Sequence, residues 1–287
     1  MELREIAAKA RLVSIIARRR ISRFLYPGEF SSLAKAGGLE FSEVRPYSWG
    51  DDPRYMDWNV SAKMGQPYVK VFETSREQQV LLALDVSASM RKGPIGTTIL
   101  KVQREISAIL STSAYFSQNR VGILIFTDRI EYFLPPGRGK HRLQQIFQAI
   151  EGHEPQGQKT DFYHALNFVA RRIRRGTIIY LLSDFSDFKS ADNSALIGVG
   201  KSHELIGIRI SNPLVREIPN SGLWRVCHPE TGAETWLDFG SSKVREAYLK
   251  QLDAQENEVK TAFRRSGQRI VEVSTHGDWL HQLKKQL

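Results

Sequence analysis

Val80-Leu81-Leu82-Ala83-Leu84-Asp85-Val86-Ser87-Ala88-Ser89-Met90 decides how the rest of this 287-residue chain is read. Val80 to Leu84 carry no polar side chain, the pattern of a strand covered on both faces in a parallel sheet. Such sheets bind ligands at the carboxyl ends of their strands, and the D-x-S-x-S tract of Asp85, Ser87 and Ser89 stands at that end. Oxygens at alternate positions of a turn can converge on one point. One carboxylate with two neutral hydroxyls suits a hard cation such as Mg2+ or Mn2+, whereas zinc would call for sulfur or imidazole.

Two further oxygens stand where such a site would need them. Thr160 follows a polar, glycine-containing loop and opens a helical pattern in Lys159-Thr160-Asp161-Phe162-Tyr163-His164. Asp184 ends a second apolar run, Thr177 to Ser183, whose end belongs beside the first in a doubly wound sheet. Taken singly, Ser87 or Thr160 reads as a helix cap and Asp184 as a loop starter. Taken together, Asp85, Ser87, Ser89, Thr160 and Asp184 resemble, in order and spacing, the metal-ion-dependent adhesion site of von Willebrand factor A domains. An aspartyl phosphatase would want a second carboxylate two residues after the first, where Ser87 stands, and no G-x-S-x-G elbow offers a serine nucleophile. Pro136-Gly137-Arg138-Gly139-Lys140 has neither the Walker A spacing nor the hydroxyl after its lysine, since His141 follows. It reads as a turn, and no enzymatic reaction is expected of the chain.

Apolar residues make up 41% of the sequence, enough for a sizeable core. The single Cys227 cannot form an internal disulfide and reads as a core thiol, compatible with a reducing compartment. Histidines lack metal-ligand spacing. No stretch approaches the roughly 20 apolar residues of a membrane span, and the amino terminus lacks a signal-peptide core. The expected location is the cytoplasm, with a peripheral contact at the inner membrane compatible with the charge.

That charge is +10, and it is dense at the start. Arg4, Lys9, Arg11, Arg18, Arg19, Arg20 and Arg23 face only Glu2 and Glu5, while Leu3, Ile6, Ala7, Ala10, Val13 and Ala17 recur at helical spacing. Residues 1–25 therefore read as a basic amphipathic helix that packs on its own domain or meets an anionic surface.

Residues 26–79 read as a small β-rich block. The alternation of Tyr68-Val69-Lys70-Val71-Phe72-Glu73 gives a strand. Arg45, Asp52, Arg54 and Asp57, interleaved with Tyr47, Trp49, Tyr55 and Trp58, are expected to form one structural ion-pair and hydrogen-bond network. Three tracts carry a second resemblance: Gly38-Leu39-Glu40-Phe41-Ser42-Glu43-Val44-Arg45-Pro46-Tyr47, Trp49-Gly50-Asp51-Asp52-Pro53-Arg54-Tyr55-Met56-Asp57-Trp58 and Ser61-Ala62-Lys63. Placed just ahead of L-x-x-L-D-V-S-x-S-M, they resemble the bacterial family called domain of unknown function 58. The resemblance implies a von Willebrand A-like domain behind the amino-terminal block and a MoxR-type AAA+ ATPase as partner. One departure is Asn212-Pro213, where the family usually has Asp-Pro.

The remainder, 80–287, alternates strands and helices. Helices are expected over Ile99–Phe116, Arg142–Ile150 and Phe162–Arg174, and strands over Arg120–Thr127, Ile130–Leu134, Leu205–Ile210 and Arg269–Val273. Leu223 to Phe239, with Pro229-Glu230-Thr231-Gly232 at its turn, reads as a β-hairpin insertion capping a sheet edge. Val244, Tyr248, Leu252, Gln255, Val259 and Phe263 mark one face of a long helix.

Fold and function follow as expectations. The fold class is α/β, a doubly wound, mostly parallel sheet of von Willebrand factor A type with the small β-rich block in front. The function is a metal-dependent protein-interaction module holding Mg2+ or Mn2+ and contacting an acidic residue of its partner. The alternative is binding of nucleic acid or an anionic membrane surface through the basic surface. Against nucleic acid, the basic helix has no aromatic stacking pattern and no RNA-binding motif.

Overall fold

A computed structural model of the chain describes residues 39–74, 78–91 and 93–287. The expected amino-terminal helix and residues 26–38 of the β-rich block lie outside the described residues. The rest falls into two compact units, one within Ile21–Glu77 and one over Gln78–Leu287.

In the first unit, β1 (Leu39–Pro46) pairs antiparallel with β2 (Tyr68–Thr74), with a register shift between Phe41 and Glu43. Between them runs a short helix, α1 (Trp58–Met64), which starts because Asp57 accepts the Asn59 and Val60 N–H groups at 3.1 Å and stops at Gly65 with φ +68°. The single ion-pair network expected here is instead three local arrangements. Arg45 grips Asp51 with two bonds of 2.8 and 2.7 Å. Arg54 reaches back to Asp52 at 2.6 Å. Asp57 caps α1 with Lys70 3.6 Å away. Each acid takes a partner within its own loop or across the hairpin.

In the second unit, six strands lie in the order β10-β7-β6-β3-β4-β5. They are β3 (Gln79–Asp85), β4 (Arg120–Phe126), β5 (Ile130–Gly137), β6 (Ile178–Ser183), β7 (Glu204–Ser211) and β10 (Arg269–Ser274). All neighbours are parallel except β4 and β5, which form an antiparallel edge. Alternate residues of β3 face opposite sides. Val80, Leu82 and Leu84 join a cluster with α3 (Gly93–Phe116), α4 (Lys140–Gly152) and Leu283 of α8 (Trp279–Gln286). Leu81 and Ala83 join another with α5 (Phe162–Arg172), α6 (Asn193–Gly200) and α7 (Ser242–Arg265). A single turn, α2 (Ala88–Arg91), follows β3. The continuous apolar run thus has a direct cause: both faces of the strand are covered.

Strand β8 (Leu223–Cys227) and strand β9 (Glu234–Asp238) form a hairpin, as their turn signal suggested, but they make a separate two-stranded sheet and bond to no edge of the large one. Cys227 lies on this hairpin and is exposed, not in the core. Its apolar surroundings in sequence are strand residues whose own side chains face solvent.

Gly207 shows how closely helix and sheet approach. A Cβ there would lie 2.6 Å from the ring of Phe263, a side chain of α7 with no exposed surface. Gly207→Ala is expected to lower stability by about 1–3 kcal/mol through overpacking, read as a lower urea midpoint at unchanged slope. An unchanged midpoint would show that this helix is free to yield.

Candidate metal centre

From β3 the chain moves to β4 and β5 on one side, then returns to β6, β7 and β10 on the other. The boundary between β3 and β6 is therefore the point where the strand order reverses, and loops diverge there to leave a crevice at the carboxyl ends. Leu84 pairs with Leu182, so Asp85 leaves the sheet beside Ser183 and Asp184. Gln103 of α3 ties the two strand ends together, donating from its amide to the Asp85 carbonyl at 2.8 Å and the Leu182 carbonyl at 3.1 Å.

Four of the five expected residues form one continuous set. Asp85, 1% exposed, accepts the Ser87 N–H at 2.9 Å and, on its other oxygen, the Ser183 hydroxyl at 2.6 Å. The Ser87 and Ser89 hydroxyls are 3.1 Å apart, and Ser89 donates to Asp184 at 3.4 Å. The same Asp184 oxygen accepts the Ser186 N–H at 3.0 Å.

Thr160 is engaged elsewhere. Its loop lies against the Ser87–Ser89 turn, since Ala88 donates to the Gln158 carbonyl at 2.8 Å and Arg91 to the Gly157 carbonyl at 2.7 Å. Glu131, from β5, fixes the loop by accepting the Gly157 N–H at 2.7 Å and the Thr127 hydroxyl at 2.8 Å. Only glycine fits at 157, where a Cβ would fall 2.1 Å from the Thr127 hydroxyl. Yet the Thr160 side chain binds Glu230 of the β8–β9 hairpin: its hydroxyl donates to one carboxylate oxygen at 2.5 Å and its N–H to the other at 3.0 Å.

Sequence reasoning missed several supporting residues. Ser183 was legible in principle as a hydroxyl preceding the strand-end acid. Phe185 was not: it sits directly after Asp184 with φ +58°, a conformation rare for an aromatic residue. It is held there by the Ser183 hydroxyl, which accepts its N–H at 2.9 Å, and by rings. Phe162 stacks on it at 5.5 Å and Phe263 meets it edge-on at 5.6 Å. The bend after β6 that presents Asp184 is thus imposed by packing. Glu230 had no local signal.

Burial raises the Asp85 carboxyl to about 7, with the neighbouring Asp184 charge as the next cause, against the hydrogen bonds from Ser183 and Ser87. Asp184 is raised too, chiefly by burial. Arg91, from the turn after β3, donates its Nε to the carbonyls of Val86 and Ser87 at 2.7 and 3.3 Å and not to the carboxylates. Among the described residues the two acids meet only hydroxyl and amide donors, an oxygen donor set with a charge deficit that a divalent cation would remove. Among the described residues no group of three or more His, Cys, Asp or Glu is arranged to hold a metal, so any cation here depends on the serine hydroxyls as well as the carboxylates.

The sign of the shift makes this measurable. With Asp85 raised to about 7, the folded metal-free protein binds a proton that the unfolded chain has lost, so its contribution to stability is present at pH 4 and is lost as pH rises through 7. Melting temperature without divalent ions should therefore fall by several degrees between pH 5 and 8, and Mg2+ should restore more of it at pH 8 than at pH 5. In Asp85→Asn the difference between the two pH values should largely vanish. A pH profile shared by variant and parent would separate Asp85 from it.

The chain can now be set beside known proteins. An uncharacterized protein of Mycobacterium tuberculosis is 25% identical over 282 residues, spanning 96% of this chain and 87% of that protein. Among solved structures, the conserved hypothetical protein BatB from Bacteroides thetaiotaomicron aligns over 73% of this chain and 96% of its own at 13% identity, with a TM-score of 0.45. A von Willebrand factor type A structure from Catenulispora acidiphila aligns over 50% of this chain and 35% of its own at 15% identity, with a TM-score of 0.36. The family described as protein of unknown function DUF58 matches residues 43–258, most of the chain. On that match, with its span across both structural units, the chain belongs to the DUF58 family.

Proposed function

We propose that this protein is a metal-dependent protein-interaction module whose second unit is a doubly wound domain of von Willebrand factor A type. Asp85, Ser87, Ser89, Thr160 and Asp184 hold Mg2+ or Mn2+, directly or through water, and leave a position for a carboxylate of the partner. The observation that carries this reading is the pair of acids, Asp85 buried and Asp184 half-buried, at the ends of adjacent parallel strands, linked through two serine residues. Two carboxylates balance a divalent ion formally, and the hydroxyls add no charge, so a further carboxylate still makes a strong contact. The work proposed is binding rather than catalysis, since the set of Asp85, Ser87, Ser89 and Asp184 includes no His, Lys or Cys to complete a nucleophile pair.

A MoxR-type AAA+ ATPase is the partner that the family resemblance suggests, and the alternative is an anionic polymer or membrane drawn by the net charge of +10. Among the described residues no helix is long and apolar enough to cross a membrane. Salt distinguishes the two readings. Binding through phosphate contacts loses affinity steeply with salt, whereas a short carboxylate–metal contact is screened less once partly buried.

The experiment is affinity capture of the AAA+ ATPase across a salt series, with Mg2+ and with EDTA. EDTA or Asp184→Ala should weaken capture about 100-fold, in line with the roughly 2–5 kcal/mol carried by a desolvated charge contact. Binding that ignores both and collapses with salt would instead assign the partner to the basic surface.

A further inference from the structure

The Thr160 hydroxyl already has an acid on it, and that acid comes from 70 residues further along the chain. Glu230 sits in the turn of the β8–β9 hairpin, only 6% exposed although the strands on either side of it are largely open to solvent. The turn is shaped to bring it in. Gly232 closes it at φ +69°, and the Glu230 and Thr231 N–H groups point at His228 Nδ1 at 3.3 and 3.4 Å. The same imidazole lies 3.9 Å, through Nε2, from Asp187 beyond β6. Both donors of Thr160 converge on the one carboxylate, which is how an acidic residue from another molecule would be received on this loop.

We propose that Glu230 is the resident acid of the centre: it holds the place of a partner's Asp or Glu, and the partner docks by exchanging its own carboxylate for Glu230 and lifting the hairpin tip. This rests on the metal-dependent reading above.

The hairpin is built for release. It bonds to neither edge of the main sheet, and an isolated two-stranded hairpin has little stability of its own. Its base is fixed instead: Phe239 donates its N–H to Gly222 at 3.0 Å, packs on Tyr248 of α7 with ring centres 5.7 Å apart, and takes an Arg245 bond on its carbonyl. The tip is held through Glu230. A tethered acid competes at high effective concentration, so a lone external carboxylate displaces it poorly. The partner therefore needs additional contacts, and the strands of the same hairpin supply them between its base and the tip. Leu223 and Trp236, 64% and 61% exposed, share one face through the Leu223–Asp238 and Arg225–Trp236 pairs, and Trp224 stands exposed on the other. Exposed tryptophans on the hairpin that carries the exchange site supply the kind of residue in which binding hot spots are enriched. The fitting partner is a protein segment with a protruding acidic residue flanked by apolar ones.

The test uses the full chain with Mn2+ as the ion and acetate as the carboxylate probe. Paramagnetic relaxation of the acetate methyl protons reports access to bound Mn2+ in the parent, Glu230→Ala and Glu230→Gln, the last preserving the shape of the side chain. Acetate should reach the ion in both variants at a concentration about tenfold lower than in the parent, the size of an ordinary coupling between a competing internal ligand and an external one. Amide exchange along Arg225–Thr235 should rise in the same variants. Equal acetate access in all three proteins, with Mn2+ bound in each, overturns the exchange of Glu230 and leaves the metal reading standing. Failure of Mn2+ to bind any of them overturns both.

Discussion

Asp85 is forced out of water at a strand end, with the half-buried carboxylate of Asp184 at the end of the adjacent strand, and the second unit is arranged around that constraint. Asp85 and Asp184 end neighbouring parallel strands at the place where the strand order reverses. Each strand is covered by helices on both faces, so the first charged residue on each falls at the rim, where the crevice opens. Each carboxylate is met by donors of its own loop and by a serine hydroxyl. Gln103 locks the strand ends from below, and Phe185 is held in a left-handed conformation by the aromatic cluster beneath it. A packed core thus fixes two acids that would otherwise separate.

Neutral donors lessen the repulsion between those acids and leave the charge in place. The rise of Asp85 to about 7 comes first from its burial and next from the Asp184 charge that remains. A proton, a divalent cation or a more open structure can remove it, and only the cation leaves both acids ionised and the geometry intact. Strong local negative charge within a chain of net charge +10 also separates the two functional readings physically, since phosphate would be repelled from this crevice and a divalent ion drawn to it.

Legibility in the sequence followed locality. The β3 run and its D-x-S-x-S end, the strand ending at Ser183, and the long helix face from Val244 to Phe263 were readable because burial of a whole face leaves a period. Helix ends were less so: α3 begins at Gly93, six residues before the expected Ile99, because its first turn carries no amphipathic stripe. Cys227 was misplaced because strand patterning cannot distinguish a hairpin packed on a core from one that stands apart. The charges between Arg45 and Asp57 read as one network, yet they divide into separate pairs, with Asp51 and Lys70 as unforeseen partners. Glu230 illustrates the limit best, since Pro-Glu-Thr-Gly is an ordinary exposed turn until tertiary structure folds it onto Thr160.

The most direct measurement is an anomalous difference map from crystals grown with Mn2+. Occupation of the centre requires a peak in the crevice between the β3 and β6 ends, about 2.1 Å from the Ser87 and Ser89 hydroxyl oxygens and adjacent to Asp85 and Asp184, lost in Asp85→Asn. A crevice without a peak at saturating Mn2+, or a peak on other carboxylates that survives the substitution, would contradict the account.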